Sequence, residues 1–186
     1  PRPFYAAHRE HGSRHRLAIA GGGDALLIDE SYNANPASMR ATINQLGEEP
    51  AQRRIVILGA MKELGEAEAR YHAELAAPIC DAKVDVALLV GAEMRPLADA
   101  LVDSRGQTLE KPAVVAHAST ADEARKWLKA AGLRAGDAIL LGGPVPPPVG
   151  GLNSRAISFA RQLRLRLLNL LHVVEELEEH DPGEKR

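Results

Sequence analysis

The sequence predicts an α/β fold: a Rossmann-like, mostly parallel sheet of five to six strands with flanking helices, plus a C-terminal helical extension. Three observations predict it. Apolar runs rich in Val, Ile and Leu recur at Ala25–Asp29, Arg54–Leu58, Val84–Val90, Ala113–Ala116 and Asp137–Leu141, spaced as βαβ units are. Helical patterns fill the intervals. The runs are continuous rather than alternating, as strands buried on both faces require.

Taken in order, Leu17–Ala20 and the first run flank Gly21-Gly22-Gly23, which reads as a turn and allows a hairpin. These glycines precede a strand, whereas a dinucleotide loop follows a strand and opens a helix, so no such fingerprint is present. The sequence also lacks a Gly-x-x-x-x-Gly-Lys-Ser/Thr phosphate loop. Pro36 suits the first turn of a helix that Gly47 would close. A second helix is expected from Glu66 to about Lys83, with Pro78 kinking or interrupting it. A shorter one runs from Glu93 to Asp103. Thr120-Ala121-Asp122-Glu123 has the capping-box pattern and opens a helix carrying Trp127 and Leu128 and ending at Gly132.

Residues 1–19 read as a junction from an upstream domain, 20–141 as the α/β domain, 142–152 as a Pro/Gly linker and 153–186 as a helical tail. In the tail, Ala156, Ala160, Leu163, Leu167, Leu170, Val174 and Leu177 follow the a/d rhythm of a coiled-coil seam. Arginines come early and glutamates late, against the helix dipole, and an antiparallel partner would relieve this. The helix is therefore expected to pack or self-associate through this seam, loose order being the other reading. A non-catalytic interaction module dimerising through residues 154–179 is the rival to an enzyme.

Composition narrows the function. Hydrophobic residues make up 45% of the 186 and aromatic ones only 3%, so the core must be aliphatic. A net charge of -2 without a basic stripe argues against nucleic acid. One cysteine, Cys80, excludes an internal disulfide or a multi-cysteine metal site. No His/Asp/Glu/Cys group has metal-ligand spacing. No apolar run approaches the roughly 18 residues of a membrane span. A cytoplasmic setting is expected.

Chemistry is expected at Leu26-Leu27-Ile28-Asp29-Glu30-Ser31-Tyr32-Asn33-Ala34-Asn35-Pro36, a strand ending in two carboxylates and a polar turn. Open α/β sheets bind ligands beyond the carboxyl ends of their strands. The plain alternative is a solvated strand end followed by a helix cap. Asp29 through Pro36, with Ser38-Met39, resembles the signature of the Mur ligase family of cell-wall synthesis. The likeness is to the branch that joins D-alanyl-D-alanine to a UDP-N-acetylmuramoyl-tripeptide. Ile57-Leu58-Gly59-Ala60-Met61-Lys62-Glu63-Leu64-Gly65, with His72 downstream, is similar to the same family's second strand and loop.

That resemblance implies ATP-dependent amide ligation. ATP phosphorylates the substrate carboxylate, and the dipeptide amine then displaces phosphate. It also implies that this chain is the C-terminal domain that closes over the nucleotide, while ATP and Mg2+ are held mainly by a central domain outside it. Glu30 takes the position of an acid that contacts the ribose, where the family more often has Asp. Asn33 and Asn35 would lie beside the nucleotide, with Tyr32 either stacked on it or in the core. Asp29, Ser31, Lys62 and Glu63 would line the cleft. His72 matches a family histidine, although a lone helical histidine is as readily a core residue. His117, at a strand end, carries the same two readings.

Two departures stand out. Ala60 replaces a usual Asp, and Gly142-Gly143-Pro144 stands where the family carries Lys-Gly-Ser, so the likeness is expected to lapse after residue 141. A divergent or frame-shifted end would account for both the lost motif and the mismatched tail helix.

Overall fold

A computed structural model describes residues 13–19, 22–31, 34–102 and 112–143. Tyr32, Asn33, most of the linker, the tail helix with its seam, and residues 1–12 and 103–111 lie outside the described residues. Six strands form one sheet in the order β1-β2-β6-β3-β4-β5: β1 Ser13–Ala18, β2 Asp24–Glu30, β3 Arg53–Gly59, β4 Val86–Val90, β5 Val114–Ala118 and β6 Asp137–Gly142. β1 pairs antiparallel with β2, and every other pairing is parallel. Among the described residues the α-helices are α1 Pro36–Glu48, α2 Glu68–Ala73, α3 Ala76–Asp81, α4 Arg95–Ala100 and α5 Ala121–Ala131.

The pleat sends successive residues of the buried strands into two cores. Ile28, Val56, Leu58, Ala87, Leu89 and Leu140 pack with Met39, Ile43 and Leu46 of α1 and with Leu75, Ile79 and Leu97 of the following helices. Leu27, Ile55, Ile57, Leu88, Ile139 and Leu141 pack on the opposite side with Ala121, Ala124 and Leu128 of α5. β4, and β3 and β6 beyond their opening Arg53-Arg54 and Asp137, are thus apolar because both faces are covered. The Gly-rich turn does join a hairpin: Ile19 donates to the Gly23 carbonyl at 2.9 Å, and Gly22 and Gly23 take φ of 104° and 80°.

The structure corrects four local expectations. The helix expected over 66–83 is interrupted as its proline predicts, but earlier in the chain: a 3-10 turn at Gly65–Ala67 is followed by α2 and α3, with the break at Glu74–Leu75. Pro78 has no N–H for the Glu74 carbonyl, and its ring crowds that carbonyl, so the chain breaks one turn before the proline. Pro78 itself sits in the first turn of α3, where it is tolerated.

Gly47 does not close α1, which runs on to Glu48. A Cβ at Gly47 would meet Ala82 Cα at 3.0 Å, so this glycine lets α1 approach the end of α3. The end of α1 is closed from outside, by Arg54. Its guanidinium donates to the Leu46 carbonyl at 3.1 Å and the Glu49 carbonyl at 2.8 Å, supplying the cation that the last turn lacks. The expected 93–103 helix begins as a 3-10 turn at Ala92–Met94 before α4. His117 lies inside β5 rather than at its end.

Candidate functional site

The carboxyl ends of β2, β6 and β3 are adjacent: Glu30 stands opposite Gly142, and Gly142 opposite Leu58. Pleating separates the two carboxylates that the sequence put side by side. Glu30 follows Ile28 onto the α1 side, whereas Asp29 follows Leu27 onto the α5 side. Asp29 is also engaged locally. Its Oδ1 accepts from Ser31 Oγ at 2.5 Å and from Ser31 N–H at 3.1 Å, closing a turn with Ser31 buried. Asp29 and Ser31 therefore shape the turn, and Glu30 is the carboxylate turned toward the helix that follows.

That helix starts with a full capping box. Asn35 Oδ1 accepts from Ser38 N–H at 2.9 Å, and Ser38 Oγ accepts from Asn35 N–H at 3.1 Å. The cap engages one lone pair of Oδ1 and leaves the Nδ2 amide as the free donor toward a ligand. Asn35→Ala is expected to cost about 1 kcal/mol of stability. Asn35→Asp keeps the cap and removes the Nδ2 donor. Urea unfolding of both variants, set beside nucleotide titration, separates the structural role from the binding one.

Between the two strand ends the backbones crowd together. A Cβ at Gly143 would lie 2.5 Å from the Gly59 carbonyl oxygen and 3.4 Å from Ala34 Cβ. Gly143 has φ of 73°, so glycine is required here on both counts. This pinch joins the end of β6, the end of β3 and the entry to α1.

Past β3 the chain turns at Met61, Lys62 and Glu63, the last with a left-handed φ of 63°. Lys62 Nζ pairs with Glu93 Oε1 at 3.0 Å, so Lys62 leans toward the β4 end rather than toward β2. Glu93 is held below the usual carboxylate range by a backbone hydrogen bond and by Lys62. Beneath them, His72 is fully buried on α2, and its Nε2 accepts the Met61 N–H at 2.9 Å. At the far side of the edge, His117 Nε2 bonds the Gly91 carbonyl at 2.8 Å, which ties β5 to the turn after β4.

Burial pushes the His72 pKa down from 6.5, against Glu68 and Glu93, which favour the charged form. The unfolded chain then binds a proton that the folded chain refuses. Stability from this group is complete above about pH 6.5 and declines as pH falls below it, by at most about 1.4 kcal/mol per pH unit. Thermal melts from pH 8 to 5 are expected to show this loss in the native chain and a smaller one in His72→Gln.

The structure thus brings Glu30, Asn35 and the 61–63 turn to the same side of one edge. Sequence reasoning missed Glu93 and the Gly143 pinch. Glu93 could have been found by the rule that selected Glu30, since it follows the end of a buried strand by three residues. Among the described residues, no three His, Cys, Asp or Glu side chains are grouped to hold a metal.

Fold and edge together define a doubly wound α/β domain whose candidate site lies at the carboxyl edge of the sheet. A family profile described as Mur ligase, glutamate ligase domain, matches residues 15–145. The chain belongs to the Mur ligase family. The match runs past residue 141, through the altered Gly142-Gly143-Pro144 segment.

Curated relatives named UDP-N-acetylmuramoyl-tripeptide–D-alanyl-D-alanine ligase include proteins from Synechocystis and Rickettsia prowazekii. The first is 41% identical over 58 residues, covering 31% of this chain and 13% of the relative. The second is 40% identical over 75 residues, covering 40% and 17%. The matched stretches are therefore less than a fifth of these relatives' length.

The solved MurF from Acinetobacter baumannii superposes with a TM-score of 0.59 at 21% identity, over 84% of this chain and 31% of that one. MurF ligase from Thermotoga maritima, solved in complex with ADP, gives 0.57 at 20% identity, over 85% and 30%. Both likenesses show the fold.

Proposed function

We propose that this chain is the C-terminal, nucleotide-closing domain of an ATP-dependent ligase that adds D-alanyl-D-alanine to a UDP-N-acetylmuramoyl-tripeptide in peptidoglycan synthesis. The observation that carries the reading is the shared placement of Glu30 and the capped Asn35 on one side of the carboxyl edge. The family membership and the activity named for its relatives supply the chemistry. In this reading Glu30 accepts hydrogen bonds from the ribose hydroxyls, as a carboxylate with two oxygens can. Asn35 Nδ2, Asn33 and Tyr32 lie along the nucleotide. Lys62 and Glu63 border the same cleft, and Asp29 and Ser31 hold the turn in shape.

ATP is the phosphoryl donor, and the edge residues suit its sugar end. Magnesium has no matching donor cluster among the described residues, so we assign it to upstream Mur domains. The phosphate-handling groups belong there as well, because the sequence has no phosphate loop. The domain then acts as a lid that completes a shared site. None of the described helices is long and apolar enough to cross a membrane, and we place the ligase in the cytoplasm.

The test is an NMR titration with a non-hydrolysable ATP analogue, adding separately expressed upstream domains partway through. Shifts at Glu30 and Asn35 only after that addition are expected. Unmoved resonances under both conditions would overturn the reading.

A further inference from the structure

We infer that His72 is a positioning residue, whose Nε2 holds the turn after β3, and with it Lys62, in place at the carboxyl edge. The inference rests on the nucleotide-closing reading for its functional consequence, but its geometry stands apart. The imidazole is fully buried, and the Met61 N–H donates to Nε2 at 2.9 Å. Nε2 is therefore an acceptor without a proton, and the ring is the neutral Nδ1–H tautomer. Nδ1 is buried with no hydrogen-bond partner among the described residues.

A buried polar group left unpaired is destabilising, so the ring is not retained for core packing alone. What it supplies is an acceptor at the one place where the chain leaves β3. Without it, the buried Met61 N–H would lose its partner as well. The next residue is Lys62, whose ammonium reaches Glu93 at 3.0 Å, and the next again is the left-handed Glu63. The hydrogen bond thus pins a turn that carries an exposed cation and a strained residue.

His72 reaches the edge through its hydrogen bond to Met61. Protonation at Nε2 converts the acceptor into a donor facing another donor and releases the turn. The charged groups that bear on this titration are Glu68 one turn earlier on α2, Glu93 after β4 and Lys62 on the turn.

The test uses three forms of the 186-residue chain: native, His72→Gln and His72→Leu. Gln reaches far enough to offer Oε1 to the Met61 N–H but does not titrate. Leu fills space and accepts nothing. In the chain alone, nitrogen NMR is expected to show the Nδ1–H tautomer, together with a coupling between the Met61 amide and Nε2. The protonated-Nε2 tautomer would overturn the inference.

With upstream Mur domains added, the native chain and His72→Gln are expected to bind the ATP analogue within about twofold of each other at pH 7.5. His72→Leu should bind roughly tenfold more weakly, as the loss of one hydrogen bond implies. As pH falls well below 6.5, where the buried ring finally protonates, the native chain should weaken while His72→Gln holds. Equal affinity for all three, with one shared pH profile, would overturn the positioning role. If the native chain binds no analogue in any setting, the nucleotide-closing reading fails, and the NMR result still decides the turn.

Discussion

Asp137→Ala is expected to destabilise the domain by about 3 kcal/mol, because it leaves a mostly buried guanidinium without its carboxylate. Arg53 and Asp137 are register partners on β3 and β6, at the end of the sheet opposite the candidate site. Arg53 Nε donates to Oδ1 at 2.9 Å and Nη2 to Oδ2 at 2.6 Å, with Asp137 only 3% exposed. The same Nη2 reaches the Gly132 carbonyl at 2.8 Å, and Arg134 N–H donates to Asp137 Oδ2 at 2.8 Å. One carboxylate therefore fastens two strands and the loop between α5 and β6. The pairing raises the Arg53 pKa further and keeps the guanidinium charged. Arg53→Met combined with Asp137→Leu should recover most of the loss, since apolar replacement of both partners removes the stranded charge. Urea unfolding with matched slopes checks this. A single-variant loss under about 1 kcal/mol would mean that water reaches Arg53 and the clamp is weak.

Gly143→Ala is expected to cost about 3 kcal/mol and to weaken nucleotide binding together with stability. A left-handed φ costs an alanine about 1–2 kcal/mol. The added methyl would also lie 2.5 Å from the Gly59 carbonyl oxygen, a backbone atom that cannot swing aside. Relief requires parting β6 from β3, which moves the Ala34 turn and the α1 cap. Gly65→Ala is the control, because Gly65 has φ of 58° with nothing within 4 Å of its Cβ position. Its cost should be about 1–2 kcal/mol, with nucleotide titration unchanged. Equal losses at the two glycines, by thermal unfolding, would show that the pinch relaxes freely.

The legible parts of the molecule were those with short-range causes. The αβ alternation, the Asn35-Pro36 opening of α1, the Thr120 cap and the Gly132 stop were all readable, since each depends on residues within one turn. Reading failed where a residue served a distant partner. Gly47 looks like a helix stop but is small because Ala82 lies against it, 35 positions on. Arg54 looks like an ordinary strand residue but closes α1. The sequence put Lys62 after a strand at the cleft, but its ion pair with Glu93, 31 positions on, was not legible there.

Sequence alone determined the fold class, the apolar strands, the carboxyl-edge signature and the resemblance to the Mur ligases. Those depend on periodicity and local residue chemistry, which neighbouring residues specify. Tertiary structure decided the rest. It inserted β6 between β2 and β3, turned Glu30 and Asn35 to one side with Asp29 on the other, and brought His72 beneath Met61. Each of these follows from strand order and pleat register, which are settled only when the two cores close on both faces of the sheet.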